Sequence, residues 1–365
     1  MTKAAELAKM GEVLTNSQIG GRRNVIINGA MNVAQRSTSE TGLGANSGYY
    51  TLDRFRLAAG NTAGRFTMAQ TAVSDLPGFL NCLHLDCTTA DTSIAAAEQL
   101  SLEHRMEGQN LQQLKKGTSS AEKVTVSFYM KTNKAFTFMC ELDDRDNNRV
   151  NTQQFTTTTD WTRHVLTFVG DTTGALDDDN AASFSVSLFF HGGSNLTGGT
   201  YSANTWQSRA SSDNMRAVGI GSFYDSTDND IKLTGFQVEI GSVATPFEHR
   251  SFDEELALCQ RYYLKVAEGN NSQICTAFSF GSSQMSAVLN LPMTMRATPS
   301  IDQVSGTDYY RYTSGSNVGI NEFTLDVASD TVISFAKGSL SVTQGQAGML
   351  LGVNSASYFA LSAEL

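Results

Sequence analysis

KVTVSFYMK, residues 123–131, decides the fold class: β-branched and aromatic residues recur near period two, the spacing at which successive strand side chains point to opposite faces. The same texture runs outward through YYTLDRFRL (49–57), KAFTFMCEL (134–142), RHVLTFVG (163–170), SFSVSLFF (183–190) and IKLTGFQVEIG (231–241). Polar clusters such as DDRDNN, DTTGALDDDN and HGGSNLTGG supply the turns between them. Many short strands and few long helical patterns predict an all-β chain, an antiparallel sandwich or jelly roll. SIAAAEQLSLEHRMEGQNLQQLKK has helix-favouring composition, yet at least part of it reads as strand.

Upstream, NVIINGAMNVAQRS (24–37) reads as a short buried strand over Asn24–Ile27, punctuated by Gly29, then a weaker alternation through Met31 and Val33 ending on Arg36. Before it, KAAELAKMGEVL sets Leu7, Met10 and Leu14 on one stripe of a short helix. Such a helix is too short to stand alone in water and must dock on something. Gly20-Gly21 then breaks the chain ahead of Arg22 and Arg23, which makes residues 1–23 a separable anchor peptide. Downstream, SFDEELALCQRYYLKV (251–266) carries a helix cap in Ser251 or Asp253, early Glu254 and Glu255, and one face formed by Leu256, Cys259 and Tyr263. The expected organisation is therefore anchor 1–23, jelly roll 24–250, linking helix 251–266 and a smaller C-terminal β-sandwich, the tip, over 267–365.

The bulk properties narrow the partners. The chain has 365 residues, enough for two cores, and a formal net charge of −10. That charge argues against nucleic acid, whose binders need clustered cations. The N-terminus lacks the apolar run of a secretory signal and no 18-residue apolar stretch suggests membrane insertion, so a protein made and folded in a cytosol is expected. Five cysteines, Cys82, Cys87, Cys140, Cys259 and Cys275, show no C-x-x-C spacing and read as buried free thiols.

Chemistry is sparse. His84, His104, His164, His191 and His249 stand in separate segments, and no G-x-S-x-G or P-loop pattern occurs, so neither catalysis, a cofactor nor a metal is expected. Asp143, Asp144, Asp146 and Asn148 form one acidic turn and Asp177, Asp178 and Asp179 another; without EF-hand spacing both read as solvated hairpin turns. Glycan contact would need exposed aromatic faces beside polar groups. The candidates are His191, Tyr201 and Trp206 near the 191–200 loop, and Tyr309, Tyr310 and Tyr312 in the tip. Trp161 is assigned to the core, and Tyr49 and Tyr50 cannot both face inward if they share a strand. Leu7, Met10, Leu14, Arg22 and Arg23 form the docking candidate, the arginines pairing with acidic groups on the surface they meet.

In order and separation, RRNVIINGAMNVAQR, YYTLDRFR, VTVSFYMK and GFQVEIGSVATPFEHRSFDEELALCQRYY resemble a family of bacteriophage virion proteins, tail-fibre-like or appendage proteins common among phages of marine bacteria. The resemblance covers most of residues 1–263, the N-terminal AELAKMGEVLTNSQIGGRRN included. VTVSFYMKT, DWTRHVLTF and LTGFQVEIG also resemble carbohydrate-binding-module jelly rolls, and LPMTMRATPSI (291–301) looks like part of a fibre-end domain. These resemblances imply a homotrimeric virion component, attached to other virion structural proteins through residues 1–23 and displayed toward a host-surface glycan. A capsid decoration or head-fibre protein without a receptor role is the alternative; a glycan-binding accessory module or hydrolase is another.

Overall fold

The structure is a computed structural model and describes residues 3–4, 23–209 and 215–365. Leu7, Met10, Leu14 and Arg22 lie outside these, and with them the expected anchor helix. The described residues form two compact units, one ending at Phe252 and one spanning Asp253–Leu365.

The first unit contains β1 (Ser39–Leu43), β2 (Gly48–Tyr49), β3 (Arg56–Gly60), β4 (Arg65–Ala72), β5 (Asn81–Thr89), β6 (Gln99–Glu107) and β7 (Val124–Thr132). β8 (Thr137–Asp144), β9 (Arg149–Thr156), β10 (Thr162–Phe168), β11 (Ala182–Gly192), β12 (Gln207–Ser208) and β13 (Asp230–Ile240) complete it. Sheet I has the order β1-β4-β5-β13-β7-β10, and sheet II the order β12-β9-β8-β11-β6-β3-β2. Every pairing between these strands is antiparallel, and the chain passes back and forth between the sheets. This is the jelly roll expected from the alternation.

Period-two patterning builds the core. Val124, Val126, Phe128 and Met130 of β7 face Phe138, Cys140 and Leu142 of β8 and Phe184, Val186, Leu188 and Phe190 of β11 in one buried cluster. β6 contributes Leu100, Leu102 and Met106, so the segment of helix-favouring composition is strand from Gln99 to Glu107, followed by two 3-10 turns. Packing across the sandwich overrides local propensity there.

Two expectations fail locally, for related reasons. Asn24–Ile27 is buried but is not a strand: the Asn24 side chain takes the place of a ladder neighbour, its Oδ1 accepting from Ile26 N and Val238 N at 3.0 Å each and its Nδ2 donating to Phe236 O at 3.2 Å. Asn28 (φ 63°) and Met31 (φ 58°) then turn through the left-handed region, which asparagine tolerates better than most residues. Gly29 presses against the register shift in β13 between Thr234 and Gln237, accepting a bond from Phe236 N at 2.9 Å. A Cβ on Gly29 would lie 2.1 Å from Phe236 O, so only glycine fits. Likewise 49–57 is not one strand, because β2 ends at Tyr49 and β3 begins at Arg56. Between them Arg54 adopts φ 70°, fully buried, with its Nη2 donating to Arg105 O at 2.7 Å.

The ends of the unit clasp each other. Glu248 accepts from Arg23 N at 3.3 Å and from Asn24 N at 2.6 Å, and Arg250 donates to Ile26 O at 2.9 Å and to Asn24 O.

Helix Phe252–Gln260 runs from the last residue of the first unit into the second and is shorter than the 251–266 expected, because Tyr263–Glu268 is strand β14. Tyr263 and Leu264 are buried there, paired with Ser362 and Leu361. The remaining strands are β15 (Gln273–Gly281), β16 (Gln284–Asn290), β17 (Ser300–Gln303), β18 (Tyr310–Thr313), β19 (Asn317–Ile320), β20 (Thr324–Ala328), β21 (Val332–Lys337), β22 (Ala347–Gly352) and β23 (Tyr358–Ser362). They form a three-stranded sheet, β14-β23-β17, and a seven-stranded one, β19-β18-β22-β15-β16-β21-β20, over one apolar core.

Candidate functional site

Turned from the core, the alternate residues of sheet II's central strands are polar. The register sets Arg56, Glu103, Ser187, Glu141 and Thr152 in one row across β3, β6, β11, β8 and β9. Two residues further along lies a second row, Arg105, Ser185, Asp143 and Val150. Strands about 4.8 Å apart make the first row roughly 19 Å long.

Carboxylates in these rows are held by guanidiniums. Glu141 is fully buried and takes Arg216 at both oxygens, 2.7 and 2.5 Å. Burial pushes its carboxyl above the usual range, against the pull of Arg216. Glu103 Oε2 accepts from Arg56 at 2.9 Å and from Arg105 Nη2 at 3.0 Å. Asp143 Oδ2 meets both Arg145, at 3.4 Å, and Arg209, at 2.8 Å. Burial and then the adjacent Arg105 guanidinium pull Arg145 below the usual arginine range. At one end of the face, Met139 and Phe189 are covered by Leu196, Ala217, Tyr201 and Ile220.

Some polar atoms of this face have no hydrogen-bond partner among the described residues although they are buried: Ser101 Oγ, Ser185 Oγ, Thr152 Oγ1 and Asp143 Oδ1. Buried polar atoms elsewhere in the molecule share this lack, Thr51 Oγ1, His104 Nδ1 and Tyr224 OH among them.

Asp146, Asn148 and Asp177, Asp178 and Asp179 are exposed, as expected of solvated turns, but the other two members of the first cluster are the last residues of β8. Asp143 and Asp144 are buried. Lys116 binds Asp144, Asp171 at 3.1 Å, and the carbonyls of Thr173 and Gly174 at 2.8 Å each, while Arg149 also holds Asp171 at 2.7 Å. Asp146 accepts from Asp177 N at 2.9 Å. Within the described residues no group of three or more His, Cys, Asp or Glu side chains is placed to hold a metal.

Three of the six aromatic candidates are buried, and Tyr201, Trp206 and Tyr309 are part-exposed. His191 is fully buried between Ser222 Oγ (2.8 Å) and Glu98 Oε2 (2.9 Å), edge-on to Tyr224. Tyr310 and Tyr312 are buried in the second core, their hydroxyls donating to the carbonyls of Val304 and Gln346. Tyr201 OH accepts from Gln154 N at 2.8 Å, and Trp206 donates to Val169 O at 2.8 Å beneath Lys116. Tyr309 is half-buried against the second core. Trp161 is not core but half-buried, donating to Asp75 Oδ1 at 2.8 Å beside the Lys131–Asp75 pair. Arg23 meets Glu248 through its backbone N–H. The sequence signal for the sheet II face was the serine alternation of SFSVS, which looks like the wet side of any amphipathic strand.

No protein-family model matches the chain, and no curated protein matches it. Among solved structures, a CBM4 structure is 10% identical over 58% of this chain and 97% of its own, at a TM-score of 0.29. The enzymatically active domain of a tailspike protein 4 from bacteriophage CBA120 is 8% identical over 60% of this chain and 21% of its own, at 0.31. A family 11 carbohydrate-binding module from Clostridium thermocellum, in complex with a β-1,3-1,4-mixed-linked tetrasaccharide, is 13% identical over 57% of this chain and 99% of its own, at 0.27. The likeness is distant, and the assignment as an all-β jelly roll rests on the strand topology above.

Proposed function

We propose that the chain is a non-catalytic appendage protein of a bacteriophage particle, displayed in several copies and contacting carbohydrate on the bacterial surface through the outward face of sheet II. The observation that carries the carbohydrate reading is that face itself. Beside its rows of hydroxyls and carboxylates, Arg145 and Arg209 keep over a quarter of their side-chain surface open, with guanidinium donors to spare. Oriented donors and acceptors of this kind suit a polyhydroxylated ligand.

Binding is favoured over hydrolysis because Glu141 is locked at both oxygens by Arg216, whereas a general acid must be free to give up its proton to the leaving group. Display in several copies is supported by the second unit, where Met349, Val288 and Val327 are exposed along one row of the seven-stranded sheet and Phe278 and Phe280 stand on the same face. The particle is suggested by the ordered sequence resemblance, and attachment through residues 1–23 by the Leu7, Met10 and Leu14 stripe. Multivalent display would add weak contacts through effective concentration.

Purified particles labelled with antibody against the first unit test this directly. Decoration of an appendage, together with chain binding to host cells that periodate oxidation of their carbohydrate abolishes, is expected. Unlabelled particles would overturn the virion assignment, and undiminished binding to oxidised cells would overturn the carbohydrate one.

A further inference from the structure

We infer that two copies of this chain pair through the outward face of the seven-stranded sheet in the second unit, about a two-fold axis, with Arg311 of each copy meeting Asp326 of the other. This rests on the reading above that the chain is displayed in several copies, and it names the partner of that face. The register carries Ala347, Phe278, Ser286, Ala336 and Thr324 in one outward row across β22, β15, β16, β21 and β20. The next row runs from Thr313 on β18 through Met349 and Val288 to Val327. Neither row holds a charged side chain, and Val327 in the second and Phe280 beside the first are 67% and 69% exposed. A solvent-facing sheet ordinarily carries polar and charged groups, as the outer face of sheet II does, whereas interface cores are depleted of charge and enriched in Phe and Met.

Only three residues of these seven strands are charged: Arg311, Asp326 and Lys337. Lys337 is in register with the core residue Met285 and pairs with Glu322 at 3.7 Å. The other two stand at opposite sides of the outward face. Arg311, between the buried Tyr310 and Tyr312, is half-buried and makes no hydrogen bond or ion pair among the described residues. Asp308, which lies against Gly319 at that side, is beyond ion-pair distance of it. Asp326 sits at the register shift of β20, exposed, and meets only the outward Ser334 hydroxyl, at 3.5 Å. Five strand spacings of about 4.8 Å hold Arg311 and Asp326 about 24 Å apart, so neither neutralises the other within one chain. A two-fold axis along the strand direction, between two stacked faces, lays the β20 side of one copy over the β18 side of the other, and does so twice. Sheets stacked about 10 Å apart leave a gap that an arginine and an aspartate side chain can bridge. The face is about 29 Å across and, at six residues, about 20 Å long, which approaches the roughly 800 Å² per partner of a stable pair. One other flat face covers it whole, where two could not.

Sedimentation equilibrium of the full chain provides the test, with each variant first shown by calorimetry to unfold as the parent does. The expected mass is an even multiple of 39.4 kDa that Arg311→Asp or Asp326→Arg alone halves. It should return when the two variants are mixed, and again when both changes are combined in one chain, because opposite charges then face each other at both contacts. Val288→Lys, at the centre of the face, should halve the mass independently of either charge. A mass that Val288→Lys halves but the charge exchanges leave unchanged, or do not restore, overturns this two-fold and leaves self-association through the face standing. An odd multiple overturns the two-fold as well. A mass untouched by every substitution, or that of a single chain at all concentrations, overturns the pairing altogether. The particle and carbohydrate assignments then still stand or fall by the labelling and oxidation experiment above.

Discussion

Replacing Lys116 with methionine should destabilise the first unit severely, and the structure says by how much and with what pH signature. The Lys116 ammonium is 4% exposed and is shared by Asp144 and Asp171, themselves 0% and 3% exposed, together with two backbone carbonyls. Methionine keeps much of the stem but leaves those charges in place. Asp171 retains Arg149 through two bonds, at 2.7 and 3.1 Å, whereas Asp144 keeps only the backbone and side-chain N–H of Asn147. Breaking a buried ion pair from one side costs about 3–5 kcal/mol. At about 2–4 °C per kcal/mol for a unit of this size, the midpoint falls by roughly 10 °C. The chain's two tryptophans, Trp161 and Trp206, both lie in the first unit, so their fluorescence follows that unit alone. Burial already raises the Asp144 carboxyl and Lys116 opposes it, so losing Lys116 lifts it further. A carboxyl raised in the fold destabilises when ionised, so the deficit should shrink as pH falls through its folded pKa. Adding Asp144→Asn should recover at least about 2 kcal/mol relative to the sum of the single changes. A loss below about 1 kcal/mol, or a deficit that grows on acidification, would refute the reasoning.

Three further outcomes follow from other parts of the fold. Burial pulls the His164 imidazole, wedged between Phe128 and Phe155, down to about 4, while the unfolded chain protonates it near 6.5. The unfolded state therefore binds more protons between those values, and stability that is full above the upper one falls with pH toward the lower by about 3 kcal/mol; His164→Phe should flatten urea midpoints across that window. Gly29→Ala should cost about 2–3 kcal/mol in urea unfolding, since its methyl meets Phe236 O at 2.1 Å, while Gly60→Ala, with nothing within 4 Å, should cost under about 1 kcal/mol. Phe280→Lys with Val327→Lys should lower the mass measured by light scattering toward one chain without shifting unfolding, and an unchanged mass would remove that face from self-association.

The strand alternation was readable because burial on one face forces it; β7, β8, β11 and β13 fall almost where their runs predict. Readable too was the β character of the 99–107 segment despite its composition. What failed was local: the Asn24–Gly29 segment bonds through side-chain amides and glycine contact, which leaves apolar spacing that mimics a strand. The site was harder. Its residues come from strands and loops as far apart as Arg56 and Arg216, and a serine on a wet face and a serine in a sealed polar row are spelled alike. Aromatics were chosen because they stack on sugars, but His191, Tyr310 and Tyr312 are large enough to be needed for filling cores. The acidic turn misled for a similar reason: Asp144 finds its counter-charge in Lys116, 28 positions away in sequence.

The clasp between Asn24 and the Glu248–Arg250 segment also decides where tension would travel. A pull transmitted along the chain from before Arg23 to beyond Arg250 crosses that short set of charge-assisted bonds and bypasses both sheets. The sandwich hangs beside the line of force as a lobe, slack while the clasp holds. Only when Glu248 and Arg250 let go does load reach the Gly29 contact and the strands behind it, so a tug on the chain would first spend itself on a joint that can re-form, leaving both sheets undistorted.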